Sequence, residues 1–132
     1  MNHIAAVVVT YNRKKLLKES IEKLLLSDTK CDILVIDNHS TDGTEEYIYE
    51  YMQRKDIVYL DTGSNLGGAG GFSYGIRKAI EMGYDYVWLM DDDCMVHRDS
   101  LTELVKAHNK IVNERKEKYG FLSSKVLWKD GQ

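Results

Sequence analysis

Tyr86-Val87-Trp88-Leu89-Met90-Asp91-Asp92-Asp93 is the stretch whose reading decides the fold. A short apolar run bounded by polar residues reads as a buried strand, and this one ends on three adjacent carboxylates that repel one another. Such an array calls for a compensating cation, and hard oxygen ligands select Mg²⁺ or Mn²⁺ over softer metals. Alternation along an extended backbone puts Asp91 and Asp93 on one side and Asp92 on the other, so Asp91 and Asp93 are expected to share an ion. The competing reading is a solvated acidic turn, disfavoured because no Gly or Asn stands among the three acids.

Outward from that strand, short β-branched runs alternate with helical patterns, the signature of parallel βαβ units. Ile4 to Val9 reads as a buried strand, and Lys14 to Leu26 as a helix with the stripe Leu17, Ile21, Leu24 and Leu25. Ile33 to Ile36 and Ile57 to Leu60 are the next two strands, and Asp42-x-x-Glu45 has the form of a capping box that opens a helix to about Met52. A glycine loop, Gly67 to Gly71, leads into a helix ending near Gly83, a natural residue for the position after a helix. Ser100-x-x-Glu103 caps another helix that reaches the Lys/Glu-rich stretch before Tyr119, and Phe121 to Trp128 reads as a last strand. The expected fold is α/β, a mostly parallel sheet flanked by helices, with residues 1–132 as one domain.

Composition narrows the partners. At 132 residues, 43% hydrophobic and 30% charged, the chain can bury one core. A formal net charge of −3 argues against a nucleic-acid binder, which needs a basic surface. Cys31 and Cys94 show no metal-finger spacing, so a reducing cytosolic setting is expected over a disulfide-stapled secreted one. Ile4 to Val9 is too short for a membrane span and lacks the flanks of a secretory signal.

Ligands of open parallel sheets bind outside the carboxyl ends of the strands, and here those ends carry the unusual residues. The first strand ends in Thr10-Tyr11-Asn12-Arg13, the second in Asp37-Asn38-His39-Ser40, the third leads to Asn65, and the fourth delivers the aspartates. Asp37 can accept a hydrogen bond from a ring N–H or a ribose hydroxyl; a cap or turn carboxylate is its plainer role. In Asn65-Leu66-Gly67-Gly68-Ala69-Gly70-Gly71-Phe72, the missing side chains let backbone approach a ligand, next to a helix N-terminus that favours anions. The run lacks the Gly-Lys-Ser/Thr ending of a P-loop and comes after the third strand instead of the first. A cation site beside an anion-friendly loop fits a metal-bound diphosphate.

Other features take ordinary readings. His39, His97 and His108 have no ligand spacing to one another and are expected on the surface or in loops. Cys94 is a packed small residue, since a soft thiolate suits Mg²⁺ poorly. Lys106, Lys110, Arg115, Lys116 and Lys118, mixed with Glu114 and Glu117, form a solvated helix face, with a peripheral contact to anionic lipid headgroups on the inner face of a membrane as the alternative.

Together, Val7-Val8-Val9-Thr10-Tyr11-Asn12-Arg13, Val35-Ile36-Asp37-Asn38-His39-Ser40-Thr41-Asp42-Gly43-Thr44, the Asn65–Phe72 run and Trp88-Leu89-Met90-Asp91-Asp92-Asp93 resemble, in order and spacing, the successive motifs of family 2 glycosyltransferases. The resemblance implies a Rossmann-like GT-A nucleotide-diphospho-sugar transferase fold and an inverting transfer from a nucleotide-diphosphate sugar that needs Mg²⁺ or Mn²⁺. The glycine run with the triple aspartate is similar to galactofuranosyltransferases and rhamnosyltransferases of bacterial surface polysaccharides, which implies UDP-galactofuranose or dTDP-rhamnose as donor and a glycan or lipid-linked acceptor.

Carried over by residue, the resemblance gives Thr10, Tyr11, Asn12 and Arg13 places around the nucleotide, and Asp37 the pyrimidine ring. Asn65, Gly67, Gly68, Ala69, Gly70 and Gly71 would line the donor pocket. Asp91 and Asp93 would hold the metal and ribose, with Asp92 toward the donor sugar. Two positions depart from the pattern: Ser73 stands where many relatives have Asn, and Val96-His97-Arg98 where many have Pro. Family members continue well beyond the point matching Gln132, and the resemblance puts the catalytic base there. The chain is therefore expected to be a C-terminally truncated, donor-binding part whose exposed apolar surface favours self-association. A non-catalytic nucleotide-sugar-binding module is the alternative.

Overall fold

The structure, a computed structural model, describes residues 3–115 and 122–123, with side chains to residue 110. In chain order the elements are β1 (Ile4–Thr10), α1 (Lys14–Leu25), β2 (Asp32–Asp37), α2 (Thr44–Tyr47), α3 (Tyr49–Met52), β3 (Ile57–Asp61), α4 (Gly67–Glu81), β4 (Tyr86–Asp91), α5 (Ser100–Arg115) and β5 (Leu122–Ser123). The strands form one sheet in the order β3-β2-β1-β4-β5, every pair parallel. Of the expected last strand, Leu122 and Ser123 pair with Trp88 and Leu89, and the remainder lies outside the described residues.

Every residue of β1 is buried because helices cover both faces of the sheet, which is why its sequence is apolar without alternation. Ile4, Ala6, Val8, Ile33, Val35, Trp88 and Met90 pack with Leu17, Ile21, Leu24 and Leu101 from α1 and α5. Ala5, Val7, Val9, Leu34, Ile36 and Val87 pack on the opposite face with Ala79, Phe72 and Ile76 of α4. The chain lays β1, β2 and β3 outward in one direction, then crosses by α4 to place β4 on the other side of β1. The order thus reverses between β1 and β4, where an open parallel sheet leaves a crevice at its carboxyl edge. Register aligns that edge: Val9 stands opposite both Ile36 and Asp91, and Thr10 opposite Asp37.

The glycine run is not a loop. Gly67 to Gly71 are the first residues of α4, whose 15 residues lie close on the sheet. A Cβ on Gly75 would come within 2.5 Å of Val7 Cγ1, and one on Gly71 within 2.7 Å of Val9 Cγ1, so these two glycines are there for helix–sheet approach. The other end of α4 is as expected. Gly83, at φ +88°, sends its N–H to Ile80 O, and Tyr84 N–H bonds Ala79 O, a Schellman closure.

Three further expectations change. The Asp42-x-x-Glu45 capping box does not form: Gly43 is the N-cap, left-handed at φ 82°, and Asp42 receives the Thr44 hydroxyl and the Lys14 N–H. The helix it opens breaks at Ile48, whose fully buried side chain anchors the junction of α2 and α3. His108 is buried instead of exposed, sharing a 3.0 Å hydrogen bond with the Tyr86 hydroxyl and packing edge-on against its ring. Cys94 is a buried packing residue, as expected. Among the described residues no helix is long and apolar enough to cross a membrane.

Candidate functional site

At the carboxyl edge, where the strand order reverses, Val9, Thr10, Tyr11 and Arg13 from the end of β1, Asp91, Asp92 and Asp93 from β4, Asn38 after β2, and Asn65, Gly67 and Gly68 before and within α4 enclose a cavity of about 430 Å³. A second cavity of about 500 Å³ runs along α4 beside Phe72, Ile76 and Ile80. It is mostly apolar, with Ser73, Arg77 and Glu81 also in its lining, whereas the clustered carboxylates lie in the first.

The aspartates are a turn and not a strand extension. Asp91 ends β4, and Cys94 N–H closes onto Asp91 O at 3.2 Å, so strand alternation stops before Asp92. Asp92, 4% exposed, accepts from Thr10 Oγ1 at 2.8 Å, and Arg13 Nη1 lies 3.4 Å from its other oxygen and 3.6 Å from Asp93 Oδ2. The expected alternation, with Asp91 and Asp93 on one side and Asp92 on the other, gives way to a turn in which all three line the cavity, with Asp92 the one already satisfied. Burial raises the Asp91 pKa, the Asp93 charge raises it further, and Arg13 opposes both. Burial also raises that of Asp92, against the Thr10 hydrogen bond and Arg13.

These residues fit a hard cation that brings part of its own coordination. Among the described residues no three acidic, imidazole or thiol side chains form a metal cage by themselves. Mg²⁺ is commonly held by one or two carboxylates plus phosphate oxygens. Asp91, partly buried and without a hydrogen-bond donor among the described residues, and the exposed Asp93 could supply those carboxylates.

The neighbouring loops are stitched together. Asn12, at φ 53°, donates its N–H to Ser40 Oγ at 2.8 Å and accepts the Thr41 N–H at 2.7 Å, so it joins the β1 loop to the β2 loop and does not line the cavity. Asp37, 1% exposed, takes the Ser40 N–H at 2.9 Å and Ser40 Oγ at 2.6 Å on one oxygen, and the Tyr59 hydroxyl on the other. Burial, and then this bond, push the Tyr59 phenol well above its ordinary pKa. Asp37 therefore sits behind the cavity wall, holding the loop.

Asn38 is the wall residue that sequence reasoning missed. It is 2% exposed; its Nδ2 donates to Gly67 O at 3.0 Å, its Oδ1 accepts from Thr62 Oγ1 at 3.3 Å, and its N–H bonds Thr10 O at 2.9 Å. Its place after Asp37 at a strand end was the available signal. Gly67 and Gly68 face open space, and the Gly67 N–H is received by Asn65 Oδ1 at 3.0 Å. Ala69 faces the apolar cavity, Gly70 sits against Leu66, and Gly71 against Val9. The tertiary structure thus gathers Thr10, Tyr11, Arg13, Asn65, Gly67, Gly68 and the three aspartates, and leaves Asn12, Asp37, Ala69, Gly70 and Gly71 outside the cavity.

Residues 5–113 match the family model described as Glycosyl transferase family 2. The chain is 40% identical over 91 residues to Galactofuranosyltransferase GlfT1 of Mycolicibacterium smegmatis (strain ATCC 700084 / mc(2)155), a match covering 68% of this chain and 30% of the relative. It is 31% identical over 98 residues to Poly-beta-1,6-N-acetyl-D-glucosamine synthase of Staphylococcus aureus (strain COL), covering 74% of this chain and 23% of the relative. The chain therefore spans about a third or less of the curated relatives it matches. Its fold is similar to S. aureus TarS 1-349 in complex with UDP-GlcNAc, with TM-score 0.69, 21% identity and coverage of 81% of this chain and 32% of that one. It is also similar to Mannosyltransferase PcManGT from Pyrobaculum calidifontis in complex with GDP-Man and Mn2+, with TM-score 0.67, 24% identity and coverage of 80% and 32%. The fold is the GT-A glycosyltransferase fold.

Proposed function

The chain belongs to glycosyl transferase family 2, and from that premise we propose that its crevice binds a nucleotide-diphosphate sugar together with Mg²⁺ or Mn²⁺, as the donor side of an inverting glycosyl transfer. The observation that carries this reading is one cavity lined by three aspartates, the Arg13 guanidinium and the first residues of a long helix. The carboxylates attract a divalent cation, while the helix N-terminal amides attract anions. A diphosphate bound to a metal satisfies both.

The bound cation would neutralise charge on the diphosphate leaving group as a Lewis acid. Asp91 and Asp93 would hold it. Thr10 keeps Asp92 oriented at 2.8 Å, Asn38 fixes the start of α4, and Gly67 and Gly68 leave backbone open to the phosphates. The name of the 40%-identical relative favours galactofuranose over rhamnose as the donor sugar. For Asp37 to read the base, its Oδ2 would exchange the Tyr59 hydroxyl for a ring N–H, which uracil and thymine carry.

No acid beyond the aspartate turn lines the cavity among the described residues. Binding of the donor, with little or no transfer, is the activity proposed for these 132 residues, and the same observation supports the alternative of a binding module.

Calorimetry tests the reading. Mn²⁺ should bind weakly alone and more tightly with uridine diphosphate, and Asp93→Asn should weaken the joint binding on the order of tenfold or more. An Asp93→Asn chain that binds both as tightly as the parent would remove the site assignment.

A further inference from the structure

We infer that Arg13 is the resident counterion of the aspartate turn, and that it exchanges places with the divalent cation, leaving the carboxylates for the phosphates of the incoming ligand. The inference rests on the reading that this crevice takes a cation and a nucleotide diphosphate together.

Arg13 is the one cationic side chain lining the cavity among the described residues, and it faces three carboxylates. Its Nη1 stands 3.4 Å from Asp92 Oδ1 and 3.6 Å from Asp93 Oδ2. Charge-assisted hydrogen bonds are shorter, about 2.7–2.9 Å, so the guanidinium is held by charge without a tight bond. The two partners differ in freedom. Asp92 is anchored by Thr10 and its side chain is 5% exposed, whereas that of Arg13 is 52% exposed. The Arg13 backbone, in contrast, is fixed. Its carbonyl accepts the Leu17 N–H at 2.9 Å as α1 begins, and the adjacent Asn12 is stitched to Ser40 and Thr41. A long side chain therefore swings from a rigid pivot at the cavity edge.

Charge decides how the turn responds to an arriving cation. A divalent ion between Asp91 and Asp93 would meet the positive guanidinium already beside Asp93, and like charges at that separation repel. A guanidinium released there has a fork of five donors that matches phosphate oxygens. Arg13 then opposes the metal alone but favours the metal with diphosphate, so its removal should shift the two affinities in opposite directions. A residue that only supports the fold would lower both.

The test titrates the 132-residue chain and its Arg13→Gln and Arg13→Lys variants with MnCl₂, reading free Mn²⁺ by electron paramagnetic resonance. Uridine diphosphate is then titrated at saturating Mn²⁺ by calorimetry. Arg13→Gln should bind Mn²⁺ alone roughly fivefold more tightly and uridine diphosphate roughly tenfold more weakly. Arg13→Lys, which keeps the charge, should hold the parent's affinity for Mn²⁺ alone and recover part of the diphosphate affinity. Thermal unfolding checks that each variant is folded, and the half-exposed side chain makes a folded Arg13→Gln the expectation. Unchanged or weaker Mn²⁺ binding by Arg13→Gln overturns the exchange, as does a tighter metal site with unaltered diphosphate binding. If the parent itself shows no coupling between Mn²⁺ and uridine diphosphate, the donor-site reading fails first, and the exchange with it.

Discussion

The side-chain amide of Asn38 donates to the carbonyl of Gly67 at 3.0 Å, tying the end of β2 to the first residue of α4. With its N–H on Thr10 O, the same residue connects to the strand whose hydroxyl holds Asp92. Asn38 thereby sets the spacing between the glycine wall and the aspartate wall of the cavity.

Asn38→Asp turns that donor into an acceptor facing a carbonyl in a buried place. A loss of about 1–3 kcal/mol in stability is expected, together with weaker binding of uridine diphosphate in the presence of Mn²⁺. Urea unfolding and calorimetry measure the two, and a variant matching the parent in both would refute the spacing role.

The glycines of α4 should separate by function. Gly75→Ala drives a Cβ to 2.5 Å from Val7 and 3.0 Å from Ile36, so overpacking should destabilise the chain by about 1–3 kcal/mol. Gly68→Ala meets nothing within 4 Å and has no positive φ, so the helix should gain about 0.5–1 kcal/mol. That methyl enters the cavity, however, and should weaken diphosphate binding. Opposite signs in the melting temperature, read beside a binding isotherm, distinguish packing glycines from the ligand-facing one.

Tyr59 contributes to an alkaline limit on stability, beside Cys31, Tyr51 and Tyr84, whose pKa values are also raised. The Tyr59 phenol, raised above the ordinary value of 10.0 by burial and by its bond to Asp37, has a folded pKa above the unfolded one. The stability linked to it is complete below pH 10 and is lost as pH rises through the folded pKa. The urea midpoint should fall as pH climbs past 10, and Tyr59→Phe should flatten that part of the slope. The same variant should be weaker at neutral pH by about 1–3 kcal/mol, since Asp37 Oδ2 loses its buried donor. An unchanged slope would show that other groups set the limit.

Tyr59→Phe also probes the base. With Oδ2 released, Asp37 should accept a uracil ring N–H more readily and reject cytosine, which presents an acceptor there. Competition between uridine and cytidine diphosphates, followed by NMR, should show a preference for uridine that grows in the variant. Equal binding in both proteins would confine Asp37 to holding the Ser40 loop.

The sequence by itself determined the order of strands and helices, the parallel sheet and the carboxyl-edge location of the site. Those rest on local signals: the continuous apolar run of β1, the stripe of α1, Gly83 after α4, and polar residues packed at each strand end. Hydrophobic period and turn chemistry are properties of neighbours along the chain, and they survive without knowledge of the fold. Which of the polar residues meet was decided only in three dimensions. Gly71 and Gly68 look alike in sequence, yet one lies on Val9 and the other faces the cavity, because α4 turns its residues in different directions. Asp37 and Asn38 are adjacent, but the pleat of β2 and the turn after it send the first to Tyr59 and Ser40 and the second to Gly67. Likewise the three aspartates share one chemistry, while Thr10 and Arg13, about 80 residues earlier in sequence, make Asp92 a satisfied group and leave the Asp91 and Asp93 carboxylates without a hydrogen-bond donor among the described residues. Hydrogen bonds between distant strand ends depend on sheet order and register, which no local pattern encodes.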